Sequence, residues 1–245
     1  PLYRMHPALR GSKRRGRRRS LRSHHLPVVV ATGLYKEQFQ PPWALDASVP
    51  ELSVWMMKDL EEGFDGTDRR AGFIELAVTD EGVTPQEDKV LRAAMEVSNQ
   101  TGAAIACHSP VGANALHQLK MIEQTGGDTS RYIQVHAHAE PRFDVHMEVL
   151  RHGAWIEYDG IGGQPDSLFL GLVRKVFDAG FGHRLLLSQD VCGYLVDKDP
   201  NTDDREYAYL VNTFTPALSD AGFSASEIDQ LARANPAEAF SIDSR

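Results

Sequence analysis

From residue 26 onward the chain repeats one pattern: a short apolar run, a polar loop, and an amphipathic stretch that stops at or near a glycine. The apolar runs fall at 28–32, 71–78, 103–108, 132–138, 155–159 and 184–191. Each is rich in Val, Ile, Leu or aromatics over about five to eight residues, as buried parallel strands are. Between them the periodicity switches to that of helices. Thr84-Pro85-Gln86-Glu87 is a capping box with proline at the first helical position. Val90, Leu91, Ala94 and Val97 then fall on one face, and Gly102 marks the stop. Residues 113–125, 144–152, 167–179 and 226–233 read the same way, and 51–62 carries Leu52, Trp55, Met56 and Leu60 as its buried stripe. Alternating strands and helices predict right-handed βαβ units, a parallel sheet and helices outside it. Six units fit an open doubly wound sheet, which places a ligand crevice where strand order reverses, or an eight-unit barrel short of two. Periodicity alone does not choose.

Length and composition change this picture little. The 245 residues, 42% hydrophobic and 24% charged, suit one large globular domain. No stretch approaches the roughly 20 apolar residues that cross a bilayer. Two cysteines, Cys107 and Cys192, make no disulfide framework and point to a reducing, cytoplasmic setting. The net charge of −8 is uneven. Residues 1–25 contain Arg4, Arg10, Lys13, Arg14, Arg15, Arg17, Arg18, Arg19 and Arg22 and no acid, leaving two acidic residues for every basic one in the rest. Such a block repels itself and has little to bury, so 1–25 is expected to be a disordered tail ahead of a domain spanning 26–245. It suits nucleic acid or an organelle-targeting role, but reads more simply as an adventitious extension.

Four of the six strands carry an ionisable residue at an otherwise apolar position: Glu75, His108, His136 and Asp190. A carboxylate in a buried strand is costly unless paired or bound to a metal. One such residue is ordinarily a salt-bridged core residue, whereas four near the C-terminal ends of separate strands converge on one place in an α/β barrel. Two imidazoles and two carboxylates there suit zinc or a similar divalent ion. Cys107 should face the helices, and His117, His146, His152 and His183 should lie on helix surfaces or ends. Tyr35, Trp43 and Tyr158 would lie near loops on the active-site face. Gly160-Ile161-Gly162-Gly163 lacks the pattern of a nucleotide loop.

Val-Ala-Thr-Gly-Leu-Tyr (30–35), Ala-Gly-Phe-Ile-Glu (71–75), Thr-Pro-Gln-Glu-Asp-Lys-Val-Leu-Arg-Ala-Ala (84–94), Thr-Gly-Ala-Ala-Ile-Ala-Cys-His (101–108) and Asn-Pro-Ala-Glu-Ala-Phe (235–240) resemble the phosphotriesterase family of the amidohydrolase superfamily, in order, from about residue 26 to the end. The resemblance implies a (β/α)8 TIM-like barrel, here N-terminally incomplete with about six βα units, and a metal centre of one or two ions at its C-terminal face. It implies that Glu75 bridges metals from strand four, that His108 and His136 are ligands from strands five and six, and that Asp190 is both ligand and catalytic proton acceptor. Asp159 matches an acidic position behind the ligands, and Tyr35 is expected at the substrate pocket. A metal-activated water would then attack a lactone, carboxyl ester or organophosphate triester. Glu75 in place of lysine tilts the expectation toward a lactone or ester.

The family's first strand carries His-x-His, and no counterpart precedes residue 26; the adjacent pair His24-His25 would point to opposite faces of a strand. The site of Glu75, His108 and His136 is therefore expected to survive better than that of Asp190. His138, two residues after His136 on an extended segment, is the candidate extra ligand, or else a plain loop histidine. The alternative is a catalytically silent member that binds one metal or a ligand without turnover, or closes its open seam as a homodimer. No membrane partner is expected, and nucleic acid is a weak prospect.

Overall fold

The computed structural model describes residues 28–191 and 206–242. The basic tail, Cys192 and the segment 192–205 lie outside the described residues. Six parallel strands form one sheet in the order β1 (Ala31–Thr32), β2 (Phe73–Ala77), β3 (Ile105–His108), β4 (Tyr132–Val135), β5 (Trp155–Tyr158) and β6 (Leu185–Leu187). Each strand lies beside its neighbour in sequence, so among the described strands order never reverses. The crevice of a doubly wound sheet has no place here, and the progression is that of a singly wound barrel wall.

The helices begin and end where local chemistry dictates. α1 (Pro42–Asp46) and α2 (Val49–Glu61) follow β1, and Ser48 and Glu51 form a capping box at the start of α2. α3 (Pro85–Thr101) has the predicted box, with Thr84 Oγ1 accepting the Glu87 amide, and closes on Gly102 at φ 76°. Caps of this kind are worth about 1 kcal/mol each. α4 (Gly112–Gln124), α5 (Phe143–Arg151) and α6 (Asp166–Asp178) follow β3, β4 and β5. After β6, two helical runs each pass through a π turn, Leu210–Phe214 into α7 (Thr215–Asp220) and, after α8 (Ala225–Asp229), Gln230–Ala234 into α9 (Asn235–Phe240). Pro216 and Pro236 stand just beyond the π turns; lacking an N–H, each displaces the hydrogen-bond ladder by one residue.

Side-chain alternation sorts the core into two layers. Ile74, Leu76, Ile105, Cys107, Tyr132, Ile156, Tyr158 and Leu185 point outward and pack with the helices in the larger cluster. Phe73, Ala104, Ala106, Ile133, Val135, Trp155 and Leu186 point to the other face and form a smaller cluster completed by Ala239, with Phe240 packed against it. α9 therefore floors the concave side of the sheet. Asn235 Nδ2 donates to the carbonyls of Gly182 and Leu185 at 2.8 and 2.7 Å, which ties α9 to the start of β6.

Candidate metal centre

The polar groups gather at the C-terminal ends of the strands. Glu75 sits inside β2 on the inner face, between Phe73 and Ala77, and is 3% exposed. Register places Ala77 beside His108, the last residue of β3, so Glu75 and His108 share that face. The chain leaves β1 through Gly33 at φ 112°, where a Cβ would lie 2.1 Å from the Glu75 carbonyl oxygen. Only glycine lets the strands approach so closely at this point.

His136 follows β4 directly and adopts a left-handed conformation, φ 64° and ψ 27°. Its backbone N–H donates to Asp159 Oδ2 at 2.9 Å and its Nδ1–H to Asp159 Oδ1 at 2.6 Å. One residue thus engages both oxygens of the buried carboxylate, which explains how a non-glycine residue holds so uncommon a conformation. With the proton on Nδ1, Nε2 is the electron-pair donor, and it lies 4.0 Å from Asp190 Oδ2. Asp190 lies beyond the end of β6 at Leu187, itself at φ 44°, and its side chain is 38% exposed. The expected strand 184–191 therefore ends early, and Asp190 stands on a loop.

His138 is not on an extended segment. β4 stops at Val135, and Ala137–Ala139 forms a 3₁₀ turn, so the expected alternation fails once His136 turns left-handed. The His138 ring is buried against Phe169, and its Nδ1 accepts the Asp159 N–H at 3.4 Å. Burial holds its pKa below the usual value against the pull of Asp159.

His108 meets His136 edge to face, ring centroids 4.4 Å apart. Tyr35 Oη lies 3.2 Å from His108 Nδ1, and Asp80 Oδ1 lies 3.9 Å from His108 Nε2. Asp80 in turn accepts from Lys36 Nζ at 2.7 Å. Neither Asp80 nor Lys36 stands out in the sequence, because both occupy polar loops. Their only signal is position, each a few residues past the end of a barrel strand.

Other expectations need correcting. Tyr158 lines no loop; it is fully buried on the helix side of β5, its hydroxyl 2.8 Å from His146 Nδ1. His146 is 1% exposed, and its Nε2–H donates to the Glu140 carbonyl at 2.8 Å. Helical spacing put it on α5 but did not reveal that its face turns inward. Trp43 is half exposed on α1, its ring tilted against that of Trp55 with centroids 5.2 Å apart. Cys107 is buried among the helices as expected.

Among the described residues, His136, Asp159 and Asp190 form a group whose ligand atoms all lie within 4.8 Å of one another. An imidazole and two carboxylates so close together are a donor set of the kind that suits a divalent ion. This grouping differs from the expected one: it gathers around Asp190, and Glu75 and His108 stand outside it. The left-handed turn at His136 accounts for this, since it aims the ring at Asp159 and Asp190.

The phosphotriesterase family model matches residues 17–240, beginning inside the arginine-rich segment rather than at residue 26. The chain belongs to the phosphotriesterase family. The phosphotriesterase homology protein of Escherichia coli is 34% identical over 224 residues, covering 90% of this chain and 76% of its relative. The aryldialkylphosphatase of Saccharolobus solfataricus is 25% identical over 231 residues, covering 87% and 72%. A crystal structure of the Escherichia coli phosphotriesterase homology protein, described as complexed with phosphate in its active site, superimposes with a TM-score of 0.88 at 30% identity, over 98% of this chain and 83% of that one. The family fold is the TIM barrel, and the six described units form part of its wall.

Proposed function

We propose that this phosphotriesterase-family chain is a metal-dependent hydrolase of a small-molecule lactone, carboxyl ester or phosphotriester. The observation that carries the reading is the grip of Asp159 on His136, which presents Nε2 toward Asp190 at 4.0 Å. His136 and Asp190 would hold a divalent ion such as zinc. Asp159 supports His136 from behind, and Glu75 and His108 are further ligands from β2 and β3 if one or two ions are bound. His138 is an additional donor only after releasing the Asp159 N–H. When bound, such an ion acts as a Lewis acid on the substrate's carbonyl or phosphoryl oxygen and makes water acidic enough to ionise near neutral pH.

The protein's own groups handle orientation and protons. Asp190, partly exposed, accepts the proton of the attacking water, and its loop position lets it reach solvent to discharge it. The buried His136–Asp159 pair keeps the imidazole in one tautomer and one orientation throughout. Tyr35, whose Oη lies 3.2 Å from His108 Nδ1, would line the substrate side of the site and orient the bound substrate. The phosphate in the Escherichia coli relative's active site and the aryldialkylphosphatase activity for which the Saccharolobus relative is named support an ester or phosphoester substrate. The cysteine usage supports a cytoplasmic setting. Exposed Phe39, Trp43, Leu45 and Val54, clustered on the segment from 37 to 61, support a homodimer.

Elemental analysis of the purified protein tests the reading. About one zinc per chain, on the precedent of catalytic sites with few protein ligands, is expected. It should be lost in His136→Ala and reduced in Glu75→Ala, with hydrolysis of 4-nitrophenyl esters, lactones and phosphotriesters falling in parallel. Metal without turnover would indicate the silent alternative, and a folded protein that takes up no metal would sink the hydrolase reading.

A further inference from the structure

We propose that Lys36 recognises an anionic group on the substrate, a carboxylate or phosphate adjoining the bond to be cleaved, and that Asp80 occupies that group's place while the site is empty. The inference rests on the hydrolase reading and names the substrate class within it.

Lys36 follows Tyr35 at the mouth of the site, and its Nζ donates to Asp80 Oδ1 at 2.7 Å. The same oxygen stands 3.9 Å from His108 Nε2, so one carboxylate spans the cation and the ring of an expected ligand. Burial is unequal. The Lys36 side chain is 15% exposed and that of Asp80 51% exposed. A cation sunk so far requires a negative partner, because leaving it unpaired forfeits its hydration. A half-exposed aspartate, by contrast, reaches water with one side-chain rotation. An arriving anion therefore exchanges one charge-assisted hydrogen bond for another of the same kind, and Asp80 returns to solvent.

The loops that carry the pair are braced. Buried Glu87 accepts the Glu37 N–H at 3.2 Å and the Thr79 N–H and hydroxyl at 3.0 and 2.8 Å, joining the chain just after Lys36 to the chain just before Asp80. Asn114 Nδ2 donates to the carbonyls of Thr79 at 2.9 Å and Asp80 at 3.3 Å from the opposite side. Backbone atoms next to both charges are thus fixed from α3 and α4, leaving the side chains as the movable parts. A neutral lactone or triester leaves the Lys36–Asp80 pair as it is, so the ammonium contributes to substrate binding only when the substrate brings an anion of its own.

Titration of inorganic phosphate into the purified protein, followed by calorimetry, is the direct test. Lys36→Gln is expected to weaken binding about tenfold, the scale of one lost charge-assisted hydrogen bond. Lys36→Arg should restore most of the affinity. Asp80→Asn should tighten binding severalfold by removing the internal competitor. The same series is then assayed on 4-nitrophenyl hemisuccinate and 4-nitrophenyl butyrate, which share a leaving group and differ by one carboxylate. The kcat/KM ratio of anionic to neutral ester should fall about tenfold in Lys36→Gln and rise in Asp80→Asn. Phosphate affinity equal in all four proteins, or an unchanged ratio, overturns the proposal. Lys36-dependent phosphate binding in a protein that cleaves no ester keeps anion recognition and removes the hydrolase reading. Ester cleavage without Lys36-dependent binding does the reverse.

Discussion

At the residue scale, Asp159 and Glu140 show how much one buried carboxylate can organise. Asp159 fixes the backbone and ring of His136, so Asp159→Asn should leave the fold intact but lower metal affinity about 10- to 100-fold, the usual cost of removing an outer partner of a metal-binding histidine. Competition with a chromophoric chelator measures it. Glu140, also buried, accepts the Gly112 N–H at 3.0 Å and two bonds from the Arg142 guanidinium, and the guanidinium holds its pKa at about 2, below its ordinary 4.5. A lowered carboxylate pKa means that the unfolded chain binds the extra proton, so this contribution is complete above pH 4.5 and is lost as pH falls toward 2. Thermal melts across that window should fall less steeply for Glu140→Gln than for the parent. The sequence made Glu75, His108, His136 and Asp190 legible because an ionisable residue inside an apolar run breaks the pattern. Asp80 and Lys36 break no pattern, being polar residues in polar loops, and only the folded geometry brings them to His108. The role of His146 was hidden for another reason: helical periodicity gives spacing, but which face turns inward depends on the sheet it meets.

Among the elements, α3 shows local and tertiary chemistry sharing one side chain. Glu87 completes the capping box with Thr84, readable from four residues, and also anchors Thr79 and Glu37, which is not readable because the partners lie 8 and 50 positions away. Glu87→Gln replaces one accepting oxygen by a donor facing N–H groups, and should cost about 1–3 kcal/mol in urea denaturation, more than the loss of a cap alone. The strands were located to within a few residues, and their ends were overestimated at β4 and β6, where the expected runs were carried on through residues 136–138 and 188–191 although the backbone has already left the sheet. α7 went unrecognised, since Pro216 within the pattern reads as a break. In the structure it sits at the second position of α7, after a π turn that makes room for it.

For the whole molecule, the order β1 to β6 was only half legible: alternation gave the units and their number, while the choice of a barrel wall over an open sheet came from the resemblance. The concave floor was not legible at all. Phe240 meets Phe73 edge to face at 5.3 Å, and Arg131 donates to the Ser241 carbonyl across 110 positions, so the last helix closes against the second strand. Phe240→Ala should destabilise the protein by roughly 2 kcal/mol, below the 3–5 kcal/mol of a fully buried phenylalanine because the ring is only partly covered; the midpoint shift in guanidinium reports it. The same closure has a consequence for synthesis. As the chain leaves the ribosome, each unit can settle beside the one before it, in the order in which the ribosome delivers them. The underside of Phe73, Ala104, Ile133 and Trp155 nevertheless stays wet until residues 235–240 emerge. A nascent chain stalled before that point is a nearly finished wall with an oily base, the state in which a chaperone has most to hold.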